Sequence, residues 1–163
     1  MLQKKVCVLG AYAVGKTSLI SRFVKSVFSE KYHTTVGVKI DKKEVQLESG
    51  TIRLMLWDLA GEDDFSKVRL SFLRGSSGYL LVVDPTRPDT FQVAESLREQ
   101  VARSEKTLPI VVLMNKADLE LEWELNHALI ELWEQAGLTV LKTSAKTGAN
   151  VENAFHTLVR ALA

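Results

Sequence analysis

The sequence lacks several features that mark secreted, membrane-spanning or nucleic-acid-binding proteins. Its 163 residues include one cysteine, Cys7, so no intramolecular disulfide can form, and the apolar neighbours of Cys7 predict a buried thiol. No segment approaches the roughly 20 apolar residues that cross a bilayer. The 21 basic and 20 acidic residues leave a net charge of +1, which excludes a general attraction to nucleic acid.

Signals for lipid attachment are also missing. The second residue is Leu2 rather than the glycine that N-myristoylation needs, and residues 159–163 contain no cysteine for prenylation. The apolar run that follows the first residues is too short for a signal peptide. We therefore expect a cytoplasmic protein, which would attach to a membrane only through a tail outside this sequence.

Short apolar segments alternate with amphipathic segments, and no internal repeat or linker interrupts them. Unbroken runs of Val, Ile and Leu are typical of strands covered on both faces in a parallel sheet. Residues 38–47 alternate apolar and polar side chains instead, and the turn at residues 48–51 predicts an antiparallel hairpin with the strand that follows. The predicted buried strands are residues 4–9, 52–57, 79–84, 110–115 and 138–141.

Apolar residues recur at helical spacing in three segments of the chain. From Val151 to Leu162 they form one continuous stripe, and Gly137 is placed to end the helix before it. Strand–helix alternation of this kind predicts one doubly wound α/β domain over residues 1–163, with ligands at the carboxyl ends of the strands. The second stripe comprises Leu125, Leu129, Leu132, Trp133 and Ala136, and the third comprises Phe91, Ala94, Leu97 and Val101.

Residues 10–17 read Gly-Ala-Tyr-Ala-Val-Gly-Lys-Thr and fit the phosphate-binding P-loop pattern G-x-x-x-x-G-K-[ST]. The pattern follows a predicted strand and precedes the amphipathic segment 17–27, which is the context it requires. Its glycines let backbone N–H groups surround phosphate oxygens at a helix N-terminus. Lys16 would reach the β- and γ-phosphates, and the Thr17 hydroxyl would ligate Mg²⁺. The alternative is a glycine turn beside a surface lysine.

Residues 115–118, Asn-Lys-Ala-Asp, resemble the N-K-x-D motif of Ras-superfamily GTPases, and the chain resembles the Rab-like members most closely. A carboxylate at Asp118 can accept hydrogen bonds from N1–H and the 2-amino group of guanine, and adenine lacks this donor pair. Residues 143–146, Thr-Ser-Ala-Lys, resemble the family's T-S-A-K element, whose backbone at Ala145 would meet the guanine carbonyl. Alone, residues 115–118 could be a turn and a helix start. Together, in order after a P-loop, the motifs favour guanine.

Two further segments resemble the loops that sense the γ-phosphate in this family. In residues 57–61, Trp-Asp-Leu-Ala-Gly, Asp58 would hold Mg²⁺ through water and the Gly61 amide would touch the γ-phosphate. In residues 32–37, Thr35 matches the threonine that ligates Mg²⁺ only when GTP is bound.

Two assignments in or near residues 32–37 leave alternatives open. Thr34 is a neighbouring candidate for the role of Thr35. Phe28 lies where the family places an aromatic ring against the base, and core packing is the alternative for it.

The resemblance covers the chain from about residue 4 to residue 162. It implies a P-loop NTPase (G-domain) fold, an α/β architecture whose six-stranded, mostly parallel sheet has one antiparallel edge strand and is flanked by five helices. It also implies a GTP/GDP switch with Mg²⁺, whose effectors bind segments 28–37 and 61–74, and which uses an exchange factor and a GTPase activator. The residues implied for the nucleotide are Tyr12, Ala13, Val14, Gly15, Lys16, Thr17, Ser18, Phe28, Asn115, Lys116, Asp118, Ser144, Ala145 and Lys146; those for the metal are Thr17, Thr35 and Asp58; those for catalysis are Glu62, Lys16 and Gly61.

Two departures from the family pattern concern catalysis. The family usually has Gln after D-x-x-G to orient the attacking water, and this chain has Glu62, whose charge would repel the γ-phosphate. Glu62 could instead position water, or simply begin a helix with its acidic neighbours. Tyr12 stands where many relatives keep small residues; it could crowd an arginine finger from a GTPase activator, or its hydroxyl could donate to the phosphate. No arginine is evidently placed to act in cis. We therefore expect slow intrinsic hydrolysis and an unusual or absent activator.

Two other functions compete with a hydrolysing switch. The first is a signalling module that binds nucleotide with negligible hydrolysis. The second is an ATP-using kinase or ATPase, against which Asp118 argues because its carboxylate suits guanine.

Overall fold

Six β-strands form one sheet in the order β2-β3-β1-β4-β5-β6 in the computed structural model, which describes residues 2–25, 38–59, 70–104 and 107–162. All neighbouring pairs are parallel except β2 and β3, which are antiparallel. This confirms the predicted hairpin. The strands are β1 (Leu2–Gly10), β2 (Val38–Leu47), β3 (Gly50–Leu59), β4 (Gly78–Val83), β5 (Ile110–Met114) and β6 (Thr139–Lys142).

The burial of each strand follows its sequence pattern. All six residues of β4, which has helices packed against it, are buried. Strand β2 forms an edge of the sheet, and of its ten residues only Val45 is fully buried. The central strands therefore need unbroken apolar sequences, whereas the edge strand tolerates the alternation of charged and apolar side chains seen in residues 38–47.

The described parts of the chain contain four α-helices. Five helices are expected for the Ras-like G-domain. Helix α1 packs against α4 through Phe23 and Phe155, whose rings stack with centroids 4.0 Å apart. Phe91 of α2 stacks on Trp133 of α3 at 6.0 Å. Trp133 is thus a core residue, as predicted. The helices are α1 (Lys16–Lys25), α2 (Asp89–Ser104), α3 (His127–Gln135) and α4 (Val151–Leu162); 3-10 helices span Leu70–Leu73 and Ala117–Glu122.

The predicted stripe of α3 is wrong at three positions, one of which is Ala136, the exposed residue that caps the helix after Gln135. The helix begins at His127, after Asn126, whose side chain accepts a hydrogen bond from the Leu129 amide at 3.0 Å. Leu125 therefore lies outside the helix and is 38% exposed, and Leu132 is 44% exposed. Helical spacing indicates a common face but not how much of that face the neighbouring elements cover.

The predicted end of α3 at Gly137 is confirmed. Gly137 adopts a left-handed backbone with φ 87°, which glycine accommodates without strain from a Cβ atom. Its amide donates to the carbonyl of Glu134 at 3.0 Å, and the Leu138 amide donates to the carbonyl of Trp133 at 3.0 Å. This pair of bonds is a Schellman motif, which satisfies the last helical carbonyls.

The topology places one crevice at the carboxyl edge of the sheet. Strand β1 pairs with β3 on one side and with β4 on the other. Ligands of doubly wound sheets bind where the strand order reverses in this way. The loop after β1, which is the P-loop, and the loop after β4 therefore lie beside each other.

Candidate nucleotide-binding site

The P-loop joins the end of β1 to α1 through a tight turn. Ala13 has a left-handed φ of 63°, and Gly15 has a φ of 103°. A Cβ atom added to Gly15 would lie 2.3 Å from Nδ2 of Asn115, so only glycine fits there. The motif glycine thus allows the close approach of the base-selecting segment, in addition to its backbone freedom.

Side chains hold the carbonyl groups of five consecutive P-loop residues. Because C=O and N–H point in opposite directions across a trans peptide, these bonds turn the following amides to the other side of the loop. Amides presented in this way form an anion-binding concavity. The donors are Lys16 to Gly10 (3.2 Å) and Ala11 (3.1 Å), Arg87 to Tyr12, Lys116 to Ala13 (3.2 Å) and Asn115 to Val14 (2.9 Å).

Lys16 is a buried cation at the start of α1, with 6% of its surface exposed. Burial lowers the pKa of Lys16 to about 8; the charge of Asp58 opposes this shift, and that of Arg87 adds to it. Desolvation disfavours the charged form of a lysine, and a nearby anion restores it. A phosphate group at the P-loop would supply that anion.

Thr17 and Asp58 bring two oxygen donors together beside Lys16. The Thr17 hydroxyl donates a hydrogen bond to Oδ2 of Asp58, which is buried near the end of β3. A hydroxyl and a carboxylate are hard oxygen ligands of the kind that Mg²⁺ prefers, completed by phosphates and water. The residues therefore fit a magnesium ion. In the described ranges, no group of three His, Cys, Asp or Glu residues forms a larger metal cage.

The base-selecting segment follows β5. Asn115 is buried, and its Oδ1 accepts from the Thr143 hydroxyl at 3.2 Å. Lys116 has a left-handed φ of 70°, which turns the chain into the 3-10 helix that carries Asp118. The Ser144 hydroxyl donates to Oδ1 of Asp118 at 2.7 Å and so orients the carboxylate.

The structure adds two details to this segment. Asp118 is exposed, so discrimination against adenine by an unpaired buried carboxylate requires the base to cover it. The Ala145 amide, expected at the guanine carbonyl, donates to Oδ1 of Asn115 at 3.3 Å. This bond is long, and a guanine oxygen would compete with it.

Sequence reasoning missed two residues that hold the guanine loops from a distance. Arg22 of α1 donates to the carbonyl of Ala145 at 2.8 Å and also to that of Lys146. The indole of Trp123 donates to the carbonyl of Lys116 at 3.0 Å. Arg22 carried no sequence signal beyond its place on the helix of the P-loop.

Arg87 and Asp84, which lie beside the P-loop, were also missed. Arg87 reaches the carbonyl of Tyr12, 75 residues earlier in the chain. The available signal was positional, because Asp84 directly follows the buried strand β4 at the carboxyl edge of the sheet.

The remaining predicted residues lie partly inside and partly outside the described parts of the chain. Ser18 lies inside them, in the first turn of α1. Of segment 61–74, the structure describes residues 70–74. Phe72 in this part lies beside Trp57 of β3, with ring centroids 6.5 Å apart. The predicted residues outside the description are Phe28, Thr34, Thr35, Gly61 and Glu62, together with the whole of segment 28–37 and residues 61–69.

Comparison with known proteins agrees with this geometry. A model of the Ras family matches residues 5–163. The Ras-related protein RABA4b of Arabidopsis thaliana is 36% identical over 157 residues, which cover 95% of this chain and 70% of the plant protein. Rab-7b of Mus musculus is 35% identical over 159 residues, covering 94% of this chain and 79% of the mouse protein. Rab-25 of Homo sapiens is 35% identical over 158 residues, covering 96% and 74% respectively. The chain therefore belongs to the Ras family of small GTPases and is a Rab-like member of it.

Proposed function

We propose that this chain binds GTP and GDP together with Mg²⁺ through the residues described above, and that it hydrolyses GTP slowly. One observation carries the binding proposal. Asn115 and Lys116, from the base-selecting segment, donate to the P-loop carbonyls of Val14 and Ala13. The parts that would hold the phosphates and the base are therefore one connected structure.

Recognition of guanine rests on Asp118 and the loop that orients it. The bond from Ser144 occupies Oδ1, and the carboxylate retains further lone pairs for the two donors of guanine. The stem of Lys116 lies between this segment and the P-loop, where it would cover one face of the base. Burial by the base then makes an unmatched carboxylate costly, so adenine is disfavoured.

Magnesium would be held by Thr17 and Asp58, with Thr35 joining in the GTP state. When bound, the ion would neutralise negative charge on the phosphates. Lys16 stabilises charge that develops on the β- and γ-phosphates. Arg22 keeps the guanine loop against α1, so that the base and the phosphates stay in register.

The proposal that hydrolysis is slow rests on two residues of the sequence, Glu62 and Tyr12. A carboxylate in place of the usual Gln adds negative charge where the transition state already gathers it. We expect Glu62→Gln to accelerate single-turnover GTP hydrolysis. A drop of about tenfold or more, equal to about 1.4 kcal/mol of barrier, would show that Glu62 itself supports the reaction.

The same departure favours the second candidate, a module that holds GTP without hydrolysing it. The purified protein is denatured and its released nucleotide is identified by ion-exchange chromatography. GDP supports the slow GTPase, whereas GTP supports the binding module. Release of adenine nucleotide, or of none after loading with GTP, defeats the proposal of a guanine site.

Base selection is tested with Asp118→Asn against Glu122→Gln, a carboxylate-to-amide change on the same 3-10 helix. Asp118→Asn replaces an acceptor oxygen by a donor and should weaken GDP binding by about a hundredfold or more. Glu122→Gln should bind GDP like the parent chain. Equal competition by ATP and GTP against labelled GDP would contradict guanine selection.

Effector binding is proposed at segments 28–37 and 61–74 and at the apolar surface between them. Ile40 of β2 is 46% exposed and is the cross-strand partner of Trp57, so both side chains lie on one face of the hairpin. Phe72 adjoins Trp57, and Lys5 lies over the indole at 3.7 Å. Exposed apolar side chains with a charged border are typical of protein-binding surfaces. We place this activity in the cytoplasm, where GTP is supplied.

A further inference from the structure

From the contacts of Asp84 we infer that Asp84 and Arg87 are positioning residues of the P-loop, which fix the peptide between Tyr12 and Ala13 for phosphate binding. The inference rests on the nucleotide site proposed above and adds two residues to it. Both lie on the loop after β4, beside the P-loop at the reversal of strand order.

Asp84 is a fully buried carboxylate with a complete set of donors. Oδ1 accepts from the amide of Thr86 at 3.0 Å and from its hydroxyl at 2.6 Å. Oδ2 lies 3.3 Å from Nε of Arg87 and 2.7 Å from Nζ of Lys116. Burial by itself raises the pKa of Asp84, but the bonds from Lys116 and Thr86 outweigh it and leave the pKa below its ordinary value. The carboxylate is therefore the common anion of two cations.

Each of these cations also donates to a P-loop carbonyl. Arg87 uses Nε for Asp84 and Nη2 for the carbonyl of Tyr12. Lys116 lies within bonding distance of Asp84 and of the carbonyl of Ala13. One buried carboxylate thus sets two neighbouring peptides of the P-loop through two different elements of the fold.

Arg87 holds the peptide between Tyr12 and Ala13. Tyr12 is the position at which this P-loop has a large residue where many relatives have a small one. Ala13 adopts φ 63°, which is uncommon for a residue with a side chain and costs about 1 kcal/mol or more. Because Arg87 fixes the carbonyl of Tyr12, the Ala13 amide is turned to the opposite side of the chain. That amide is one of the donors a P-loop offers to phosphate oxygens.

A purely structural role explains these contacts less well. The Arg87 side chain is 36% exposed and its guanidinium ends on a loop carbonyl, not in the core. The turn that carries it is held separately by the buried Thr90, whose hydroxyl accepts from the Asp84 amide at 2.9 Å and lies 2.8 Å from the carbonyl of Arg87. Removing the guanidinium should therefore leave this turn in place.

The test compares Arg87→Ala and Arg87→Lys with Arg103→Ala, which changes an exposed arginine in the last turn of α2. The release rate of fluorescently labelled GDP is measured for each variant, with thermal unfolding as a check of folding. Losing one charged hydrogen bond should speed release about tenfold in Arg87→Ala. Lysine should restore part of this, because one ammonium group cannot span both partners as a guanidinium does. Arg103→Ala should match the parent chain.

A second readout separates positioning from general loosening. Hydrogen exchange of the Ala13 amide in the GDP complex should accelerate in Arg87→Ala, while amides of β4 keep their protection. Asp84→Asn keeps the shape of the side chain but weakens its interactions with both Arg87 and Lys116. GDP release should therefore be faster from Asp84→Asn than from Arg87→Ala. The inference is overturned if Arg87→Ala and Asp84→Asn release GDP at the rate of Arg103→Ala. If the parent chain does not retain GDP at all, it is the proposed guanine site that fails.

Discussion

Asn115, at the end of β5, donates from Nδ2 to the carbonyl of Val14, which lies 101 residues earlier, at a distance of 2.9 Å. Its Oδ1 accepts from Thr143 and from the amide of Ala145. One buried amide therefore joins the P-loop to both segments of the guanine site.

Replacing Asn115 by Ala should destabilise the protein and speed nucleotide release together. Each buried partner left without a bond costs about 1–3 kcal/mol. Urea unfolding without nucleotide gives the first effect, and labelled GDP release gives the second. Asn153→Ala, on the exposed face of α4, is the matched control and should change neither. A stable Asn115→Ala variant with unchanged GDP release would contradict the connecting role.

Gly15→Ala and Gly137→Ala form a matched pair, because both glycines have left-handed backbones. At Gly137 a Cβ meets nothing within 4 Å, so only the backbone cost of about 1 kcal/mol applies. At Gly15 the Cβ would strike the amide of Asn115, which must move. We expect Gly15→Ala to lose GDP binding and Gly137→Ala to keep it. Isothermal titration with GDP measures both, and equal affinities would refute the steric explanation.

Trp133 fills the core between α2 and α3, yet its buried Nε1 has no hydrogen-bond partner in the described structure. An unmade bond already carries a desolvation cost in the native protein. Trp133→Phe should therefore lower the free energy of unfolding far less than Trp133→Ala, for which about 3–5 kcal/mol is expected. Chemical denaturation of the two variants tests this. Equal losses would mean that the indole nitrogen contributes a bond after all.

Cys7 should be an unreactive thiol in the folded protein. Burial raises the pKa of Cys7 above its ordinary value of 9.0, and a bond with Ser76 opposes the shift. Because the folded pKa is raised, its contribution to stability is fully present below pH 9 and is lost as the pH rises through the folded pKa. Iodoacetamide at pH 8 should label Cys7 only after urea unfolding.

The matched control for this pH effect is Cys7→Ala, which removes the titrating group. Its free energy of unfolding should fall less steeply than that of the parent chain between pH 8.5 and 10. Identical slopes, or rapid labelling of the native protein, would show that Cys7 is accessible.

The sequence predicted those features that depend on neighbours along the chain. The stripe from Val151 to Leu162 became α4 with the predicted bounds, because helical period and burial agree there. The apolar run at residues 79–84 marked β4, although the strand itself is Gly78–Val83. The guanine and phosphate motifs were found because each is a short contiguous segment.

Features that depend on distant partners could not be read in this way. Arg22 bonds to carbonyls 123 and 124 residues away, and Arg87 to one 75 residues away. Backbone carbonyls leave no trace in the residue type, so no pattern identified these arginines. The exposure of Leu125 and Leu132 depends on which elements cover α3, which spacing alone does not determine.

The P-loop carbonyls held by Arg87, Lys116 and Asn115 have a consequence for the order in which the protein matures. During synthesis the loop leaves the ribosome about a hundred residues before its last two donors, and chain growth takes seconds. A nascent chain would therefore bind nucleotide tightly only after β5 has joined the sheet. Nucleotide capture would then report that the two halves of the chain have assembled. In the finished protein, bound nucleotide would resist any opening that separates β5 from β1, and a saturating ligand adds about 2.7 kcal/mol at a hundredfold excess over its Kd.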